Sequence, residues 1–264
     1  MASVTRILGI IFIAALVSHG CVELNGQRIV WSYDKGSDTL TMLLFYDGIS
    51  DSKSQGNGQA SEQLRAAVGQ GDIMLLDWPF HLKRDEIQRS AEKPDVPLEV
   101  RAFASKYLTQ VTTRIVGRYT DGAGRLGIAQ QVTIKDASGL IASANKAISA
   151  GILQEWGDNK THKSGFKVST RLLVAAARTG HAWIRLDGQA LVVDIPAFAD
   201  DVRAMRARLA EDVLSDAAKK GPLGIHQMMA GMASITSNGG AFIQDEDRVQ
   251  LRLGFKTRPE TMRF

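Results

Sequence analysis

Three aspartates of this chain could act together if the fold brings them to one place. Asp47 and Asp77 each follow an apolar segment with the pattern of a strand, 39–46 and 73–76, and Asp51 comes shortly after Asp47. If these two strands run parallel, with a helix between them, their carboxyl ends meet at one edge of the sheet, where ligands collect. Clustered carboxylates suit Mg²⁺ or Ca²⁺, and the bound cation could activate water. The pattern therefore suggests a metal site formed by Asp47, Asp51 and Asp77, and a cation-dependent hydrolase.

The same aspartates also have a purely structural interpretation. Asp is common where strands end, because its side chain accepts hydrogen bonds from nearby backbone groups. The segment 47–51 lacks the ligand spacing of a calcium-binding loop. His81, just past Asp77, offers an imidazole that could serve as an acid or base in the hydrolase. Both interpretations stay open at this point.

A second group with possible chemistry lies near the C-terminus. His226, Met229 and Met232 fall at helical spacing, and imidazole and thioether groups are ligands that suit copper. Methionine is also a common filler of apolar cores, and this segment is otherwise apolar. A copper-handling protein is therefore one alternative, beside an amphipathic core helix. Arg118 and Tyr119 could contact a ligand, although an exposed strand face explains them equally well.

Several function classes lack support in the sequence. No two histidines have the spacing of a zinc protease, and no Gly-x-Ser-x-Gly segment marks a serine hydrolase. Gly122 and Gly124 lie in a predicted hairpin turn rather than before a helix, so they do not form a phosphate-binding loop. The net charge of +4 over 264 residues is a mild excess, which disfavours a nucleic-acid partner.

The single cysteine carries the strongest signal in the chain. Cys21 follows a cationic start and the apolar segment 7–17, which is too short to span a bilayer. This pattern predicts a secretory signal over 1–20 and a lipid anchor on Cys21. Lipidation would also protect a lone thiol in an oxidising compartment. Ser18 stands where lipoprotein signals usually carry Leu, so a cleaved, soluble secreted protein is the alternative.

The elements that must position these residues form mainly hairpins. Alternating segments predict strands over 27–33, 39–46, 113–119 and 126–134, and again over 182–186, 189–195, 241–244 and 248–253. Helical spacing predicts helices over 61–68, from Pro97, from Asp136 as the N-cap, and over 169–180. The fold class predicted is α+β, with a mainly antiparallel sheet, helices on one face and one optional parallel βαβ pair over 39–77.

The predicted organisation has three parts. Residues 1–20 are the signal peptide, 21–255 a single α+β globular domain, and 256–264 a basic tail. Hydrophobic residues make up 44% and charged residues 23% of the chain, which are the values of a folded globular protein.

Four segments resemble a group of uncharacterised bacterial lipoproteins. The residues that carry the resemblance surround Cys21 and continue in Gly26-Gln27-Arg28, Trp31-Ser32-Tyr33-Asp34, Tyr46-Asp47-Gly48-Ile49 and Leu76-Asp77-Trp78-Pro79. The group has no known function, so the resemblance implies an envelope location and no chemistry. The main interpretation is therefore an envelope protein held on a membrane by a lipid on Cys21. It would bind an unknown envelope partner or have a structural role, and no cofactor can be assigned.

Overall fold

The computed structural model describes residues 22–23, 26–51, 57–75, 80–120, 124–157, 170–188, 190–196, 240–244 and 248–255. The strands are β1 (Val22–Glu23), β2 (Gly26–Asp34), β3 (Thr39–Asp47), β4 (Ser50–Asp51), β5 (Ile73–Leu75), β6 (Phe80–Leu82), β7 (Val111–Thr120), β8 (Leu126–Ile134), β9 (Ile184–Asp187), β10 (Ala190–Pro196), β11 (Gly240–Gln244) and β12 (Arg248–Gly254). The helices are α1 (Asn57–Gly69), α2 (Arg84–Glu92), α3 (Leu98–Gln110), α4 (Ala137–Trp156) and α5 (Thr170–Arg178).

The strands form two four-stranded sheets and two short ribbons. Sheet 1 has the order β2-β3-β8-β7 and sheet 2 the order β11-β12-β10-β9, while β1 pairs with β4 and β5 with β6. Every pairing among the described strands is antiparallel. The predicted α+β class with antiparallel hairpins is therefore confirmed.

The optional parallel pair over 39–77 is not found. β3 is a central strand of sheet 1, with β2 along one edge and β8 along the other. Both of its hydrogen-bonding edges are therefore occupied, and β5 pairs with β6 instead. The two strands that were expected to bring Asp47 and Asp77 to a common sheet edge thus belong to different sheets.

Helices pack against one face of sheet 1, as the alternation along β3 predicts. Leu40, Met42, Leu44 and Tyr46 are buried on this face. The core between the sheet and the helices combines residues of β3 and β8 with residues of α1 to α4, namely Met42, Leu44, Tyr46, Ile128, Val132, Leu64, Val68, Ile87, Ala104, Tyr107 and Leu140. The other face of the sheet, called the outer face below, carries the side chains that alternate with these.

Helix α4 connects this core to the second sheet. Its C-terminal half packs with α5 in a separate cluster that contains Ile148, Ile152 and Trp183. The side-chain amide of Asn145 also bonds both the backbone N–H and the carbonyl of Ile184, each at 2.8 Å. Strand β9 is therefore attached to α4 by polar as well as apolar contacts.

The start of α4 is capped from a distant part of the chain. Asp38, in the turn between β2 and β3, has a left-handed backbone with φ 47°. Its carboxylate accepts hydrogen bonds from the backbone N–H of Ser138, at 3.1 Å, and from the Ser138 and Tyr33 hydroxyls. Burial raises the pKa of Asp38, but these hydrogen bonds outweigh it and hold that pKa below its usual range. The hairpin turn therefore supplies the cap for a helix that begins about a hundred residues later.

The predicted role of Asp136 as the cap is wrong. Asp136 stands directly before α4, but with φ 49° its side chain makes no cap hydrogen bond. Its carboxylate accepts instead from Gln110 Nε2 at 2.8 Å and from Lys106 Nζ at 3.3 Å, both on α3. Asp136 therefore ties α3 to the α4 start, and Asp38 takes the role that sequence position suggested for Asp136.

Candidate functional site

The outer face of sheet 1 gathers charged and aromatic side chains at the end of the sheet where β2 begins. Antiparallel register places Arg28 of β2 directly opposite Phe45 of β3, and Tyr119 of β7 opposite Gly127 of β8. Asp47 lies two residues past Phe45, and therefore on the same face. We call Arg28, Phe45, Asp47, Tyr119 and Gly127 the outer-face cluster.

Asp47 is the polar centre of this cluster. Arg28 binds its carboxylate through two atoms, Nε to Oδ2 at 2.9 Å and Nη2 to Oδ1 at 3.2 Å. The Tyr119 hydroxyl donates a third hydrogen bond, to Oδ1. Two parallel N–H bonds from a planar guanidinium are the preferred geometry for binding a carboxylate. Asp47 is therefore neutralised and held by both edge strands of the sheet, although it lies on a central strand.

An aromatic floor supports the charged groups. Phe45 is 2% exposed, and Arg28 Cζ lies 4.8 Å from the centre of its ring. The Tyr119 ring meets Phe45 at 65°, with 6.2 Å between the ring centres. The guanidinium lies over the face of the Phe45 ring, which carries negative partial charge. The two aromatic rings meet edge to face, so the positive edge of one contacts the negative face of the other. Gly127 leaves the room for Tyr119, because a Cβ at this position would lie 2.4 Å from its ring.

The ionisation of these groups favours binding over proton transfer. Hydrogen bonding to Asp47 raises the pKa of Arg28. Burial, followed by the hydrogen bond to Asp47, raises the pKa of Tyr119 well above its usual range. Near neutral pH the guanidinium therefore stays charged and the phenol stays protonated. The Arg28 side chain is nevertheless 49% exposed, so part of the guanidinium can reach a partner.

The predicted metal site loses part of its basis at Asp47. Both carboxylate oxygens of Asp47 already accept hydrogen bonds. Asp51 is placed only through its backbone, which pairs with Val22, and Asp77 lies outside the described residues. Within the described part of the chain, no group of three His, Cys, Asp or Glu side chains could hold a metal ion. The hydrolase therefore stays a prediction.

The other predicted site residues lie outside the described residues or are placed only by their backbone. Cys21 lies outside the described residues, as do the proposed copper ligands His226, Met229 and Met232. His81 lies in β6, where its backbone pairs with Met74. The lipid anchor and the copper site both stay predictions.

A cluster of polar side chains, buried except for the half-buried Arg84, was not predicted from the sequence. Tyr46 and Gln130 are each 0% exposed, and the Tyr46 hydroxyl donates to Gln130 Oε1 at 2.6 Å. Gln130 Nε2 in turn donates to the carbonyl of Asp72 at 2.7 Å. The Asp72 carboxylate accepts the backbone N–H of Arg84 at 2.9 Å. We call Tyr46, Asp72, Arg84 and Gln130 the buried cluster.

The Arg84 guanidinium extends the buried cluster to the junction between α3 and β7. It donates to the carbonyls of Leu108, at 2.7 Å, and Val111, at 3.3 Å. These carbonyls lie where the helix ends and the strand begins, so they need a partner from elsewhere. This arrangement connects the segment before β5 with α2, α3 and the sheet, and its role is structural.

A second unpredicted polar group lies in sheet 2. His181 Nε2 is 3.2 Å from the backbone carbonyl of Asp194 and 3.7 Å from its carboxylate. Gln250 donates to the other carboxylate oxygen of Asp194 at 2.8 Å, and the Trp183 ring meets the His181 ring edge-on. These contacts link His181, which precedes β9, to β10 and β12.

Comparison with known proteins gives no relative from which a role could be carried over. No protein-family model matches the chain, and no curated protein or solved structure matches it at a significant level. Among the described helices, none is both long and apolar enough to cross a bilayer.

Proposed function

We propose that this protein is anchored to a membrane of the cell envelope by a lipid on Cys21 and binds an envelope partner through the outer-face cluster. The observation that carries the proposal is the position of the cluster relative to the cysteine. Strand β1 begins at Val22, directly after Cys21, and β2 begins at Gly26, whose partner in β3 is Asp47. An anchor on Cys21 would therefore hold the cluster close to the membrane.

The chemistry of the cluster supports a binding role. Catalysis by acids and bases needs a group whose pKa lies near the working pH. Arg28 and Tyr119 both have raised pKa values, which moves them further from that range. Arginine and tyrosine are instead enriched among the residues that contribute most to binding at protein interfaces. The function supported best is recognition of a protein that presents acceptor oxygens to Arg28.

The anchor can be tested by analysis of the mature N-terminus. Mass spectrometry of the protein from membranes should show Cys21 as the first residue, with a diacylglycerol group and acyl chains attached. The Cys21→Ser variant should leave the membrane fraction, since one attached lipid together with acylation provides stable anchoring. A mature protein with an unmodified Cys21 would favour the secreted soluble alternative.

The binding surface can be tested by a matched pair of variants in the intact envelope. Arg28→Gln removes the positive charge of the outer-face cluster and leaves the Asp47 carboxylate without its ion-pair partner. Arg114→Gln removes an exposed arginine on the same face, which bonds Gln131 at 2.7 Å and is not part of the cluster. A photo-crosslinking residue in place of Leu43, which lies between them on the outer face, should capture a discrete protein. Arg28→Gln should abolish this product and Arg114→Gln should not. Equal loss in both variants would contradict a role specific to Arg28.

A further inference from the structure

The two edges of sheet 1 differ in how they are protected from further strand pairing. β7 has a register irregularity between Ile115 and Gly117, and α1 packs against it. It also exposes Arg114 and Arg118. Bulges, charges and covering helices are the usual means of blocking an edge strand. The β7 edge is therefore blocked in several ways.

Among the described residues, the β2 edge has no bulge, although it carries the exposed charges of Arg28 and Asp34 and its Tyr33 ring lies 5.9 Å from the ring of Phe255. β2 is nine residues long, keeps an unbroken register with β3 and contains no proline. Within the described part of the chain, no strand pairs with its other side. Between its charged residues Arg28 and Asp34 lie Ile29, Val30, Trp31, Ser32 and Tyr33, all of which are favourable in strands or neutral. An edge of this length presents a row of backbone donors and acceptors to another strand.

We infer that β2 pairs with β2 of a second copy of this chain, antiparallel, around a two-fold axis at Trp31. In this register Arg28 lies opposite Asp34 of the second copy, and Asp34 opposite its Arg28. Ile29 lies opposite Tyr33, and the two Trp31 residues face each other. Because the surface is the same on both copies, each of these pairs occurs twice or lies on the axis.

Charge complementarity selects this register. A two-fold antiparallel pairing must centre on one residue, and the neighbouring choices are Val30 and Ser32. Centring on Val30 places Arg28 opposite Ser32, and centring on Ser32 places Asp34 opposite Val30. Only the register centred on Trp31 pairs the two charges of the strand with each other. Arg28 and Asp34 are six positions apart, so they lie on the same face, and both are exposed. Arg28 also binds Asp47, and Asp34 also accepts from the Gly36 N–H and the Ser37 hydroxyl, so each would share its charge with the second copy.

This dimer goes beyond the proposed function and does not depend on the lipid. The dimer joins sheet 1 of one copy to sheet 1 of the other, which gives one sheet of eight strands, with the two-fold axis perpendicular to it. Such an axis keeps both N-terminal segments at the same height along it. The arrangement is therefore compatible with two anchors in one membrane.

The test uses two charge reversals and their mixture. The purified mature protein should sediment as a dimer. Asp34→Arg places arginine opposite arginine, Arg28→Asp places aspartate opposite aspartate, and each should weaken the dimer about tenfold, since like charges directly opposite are destabilising. Asp95→Arg, on the helix side of the fold, reverses an exposed charge away from β2 and should leave the dimer unchanged.

An equimolar mixture of the two variants restores opposite charges at both positions, so it should form a heterodimer of nearly native affinity. This rescue also controls for the loss of the Arg28–Asp47 contact in Arg28→Asp, because impaired folding would not be repaired by mixing. A monomeric parent protein, an unchanged Asp34→Arg dimer, or a mixture as weak as the separate variants would each overturn the inference. None of these results bears on whether Cys21 is lipidated.

Discussion

The outer-face cluster and the buried cluster are built from similar residues but differ in what surrounds them. Each contains an arginine, an aspartate and a tyrosine. The outer-face cluster joins β2, β3 and β7 of sheet 1, whereas the buried cluster joins β3 and β8 to Asp72, which precedes β5, and to Arg84 of α2. In the buried cluster Tyr46 and Gln130 are 0% exposed, so no water can replace a lost partner. In the outer-face cluster Arg28 is 49% exposed, and water can take over much of what is removed. The comparison indicates that the buried cluster stabilises the fold, and the outer-face cluster is the one that we propose for recognition.

The largest effect should come from removing the Arg84 guanidinium. Arg84→Met leaves the carbonyls of Leu108 and Val111 without this donor, which should lower the free energy of unfolding by about 3–4 kcal/mol. Urea unfolding followed by circular dichroism measures the change. Arg89→Met is the control, because its exposed pair with Asp85 should contribute at most about 0.5 kcal/mol. Equal losses in the two variants would remove the distinction between buried and exposed clusters.

The next effect concerns Gln130. Gln130→Leu has similar volume, but it takes an acceptor from the Tyr46 hydroxyl and a donor from the Asp72 carbonyl. We expect a loss of about 2–3 kcal/mol in urea unfolding. Adding Tyr46→Phe should cost less than it does in the parent protein, because the two side chains share one hydrogen bond. Strictly additive losses would show that this bond contributes little.

Gly127→Ala should disturb the outer-face cluster by steric crowding of the Tyr119 ring. The added Cβ meets the Tyr119 ring, so the ring must move and its bond to Asp47 is strained. The stability loss should be about 1–2 kcal/mol, typical of overpacking. The crosslink from the outer face should weaken as well, whereas Gln130→Leu, in the buried cluster, should leave it intact in folded protein. A crosslink lost only in Gln130→Leu would reverse the roles given to the two clusters.

The smallest effect at neutral pH is expected for Tyr119→Phe. Losing one hydrogen bond from a half-buried phenol should cost about 0.5–1 kcal/mol. Because the folded-state pKa of Tyr119 is raised, its contribution is complete below the ordinary tyrosine pKa of about 10 and is lost as the pH rises beyond it. The variant should therefore lose less stability than the parent protein between neutral and strongly alkaline pH. Parallel pH profiles would show that Tyr119 does not titrate differently on folding.

Hairpins were predictable because they are local. The alternation in 27–33 and 39–46 and the turn residues between them are sufficient for β2 and β3, and the same holds for β9 with β10. The buried face of α4 was also predicted, with Leu140, Ala144, Ala147, Ile148 and Ile152 all buried. In each case the signal lies within one segment of the chain.

The parallel pair and the helix cap were mispredicted because their outcome depends on distant residues. Whether β3 has a free edge depends on β8, which the chain reaches only after three helices. Whether Asp136 caps α4 depends on Asp38, whose carboxylate already accepts the hydrogen bond from the Ser138 N–H. No residue within 39–77 indicates that β8 pairs with β3, and no residue within 136–140 indicates that Asp38 caps α4.

The outer-face cluster was partly accessible to sequence reasoning. The hairpin register alone places Arg28 opposite Phe45, and two-residue alternation puts Asp47 on the same face. Tyr119 was noted only as an exposed candidate, because its partner Asp47 is 72 residues away. The buried cluster gave no signal at all, since Gln130 beside Gln131 has the appearance of a solvated segment.

The sequence by itself determined the antiparallel α+β class, the hairpins and the apolar face of α4, and it gave Cys21 as the predicted anchor. Side-chain periodicity and turn residues act over a few positions, so one chain segment is sufficient to read them. Only the tertiary structure decided that Asp38 caps α4, that Asp47 pairs with Arg28, and which polar residues are buried. These outcomes depend on contacts between distant segments, and burial sets whether the same Arg, Asp and Tyr groups are shielded from water or partly exposed to it.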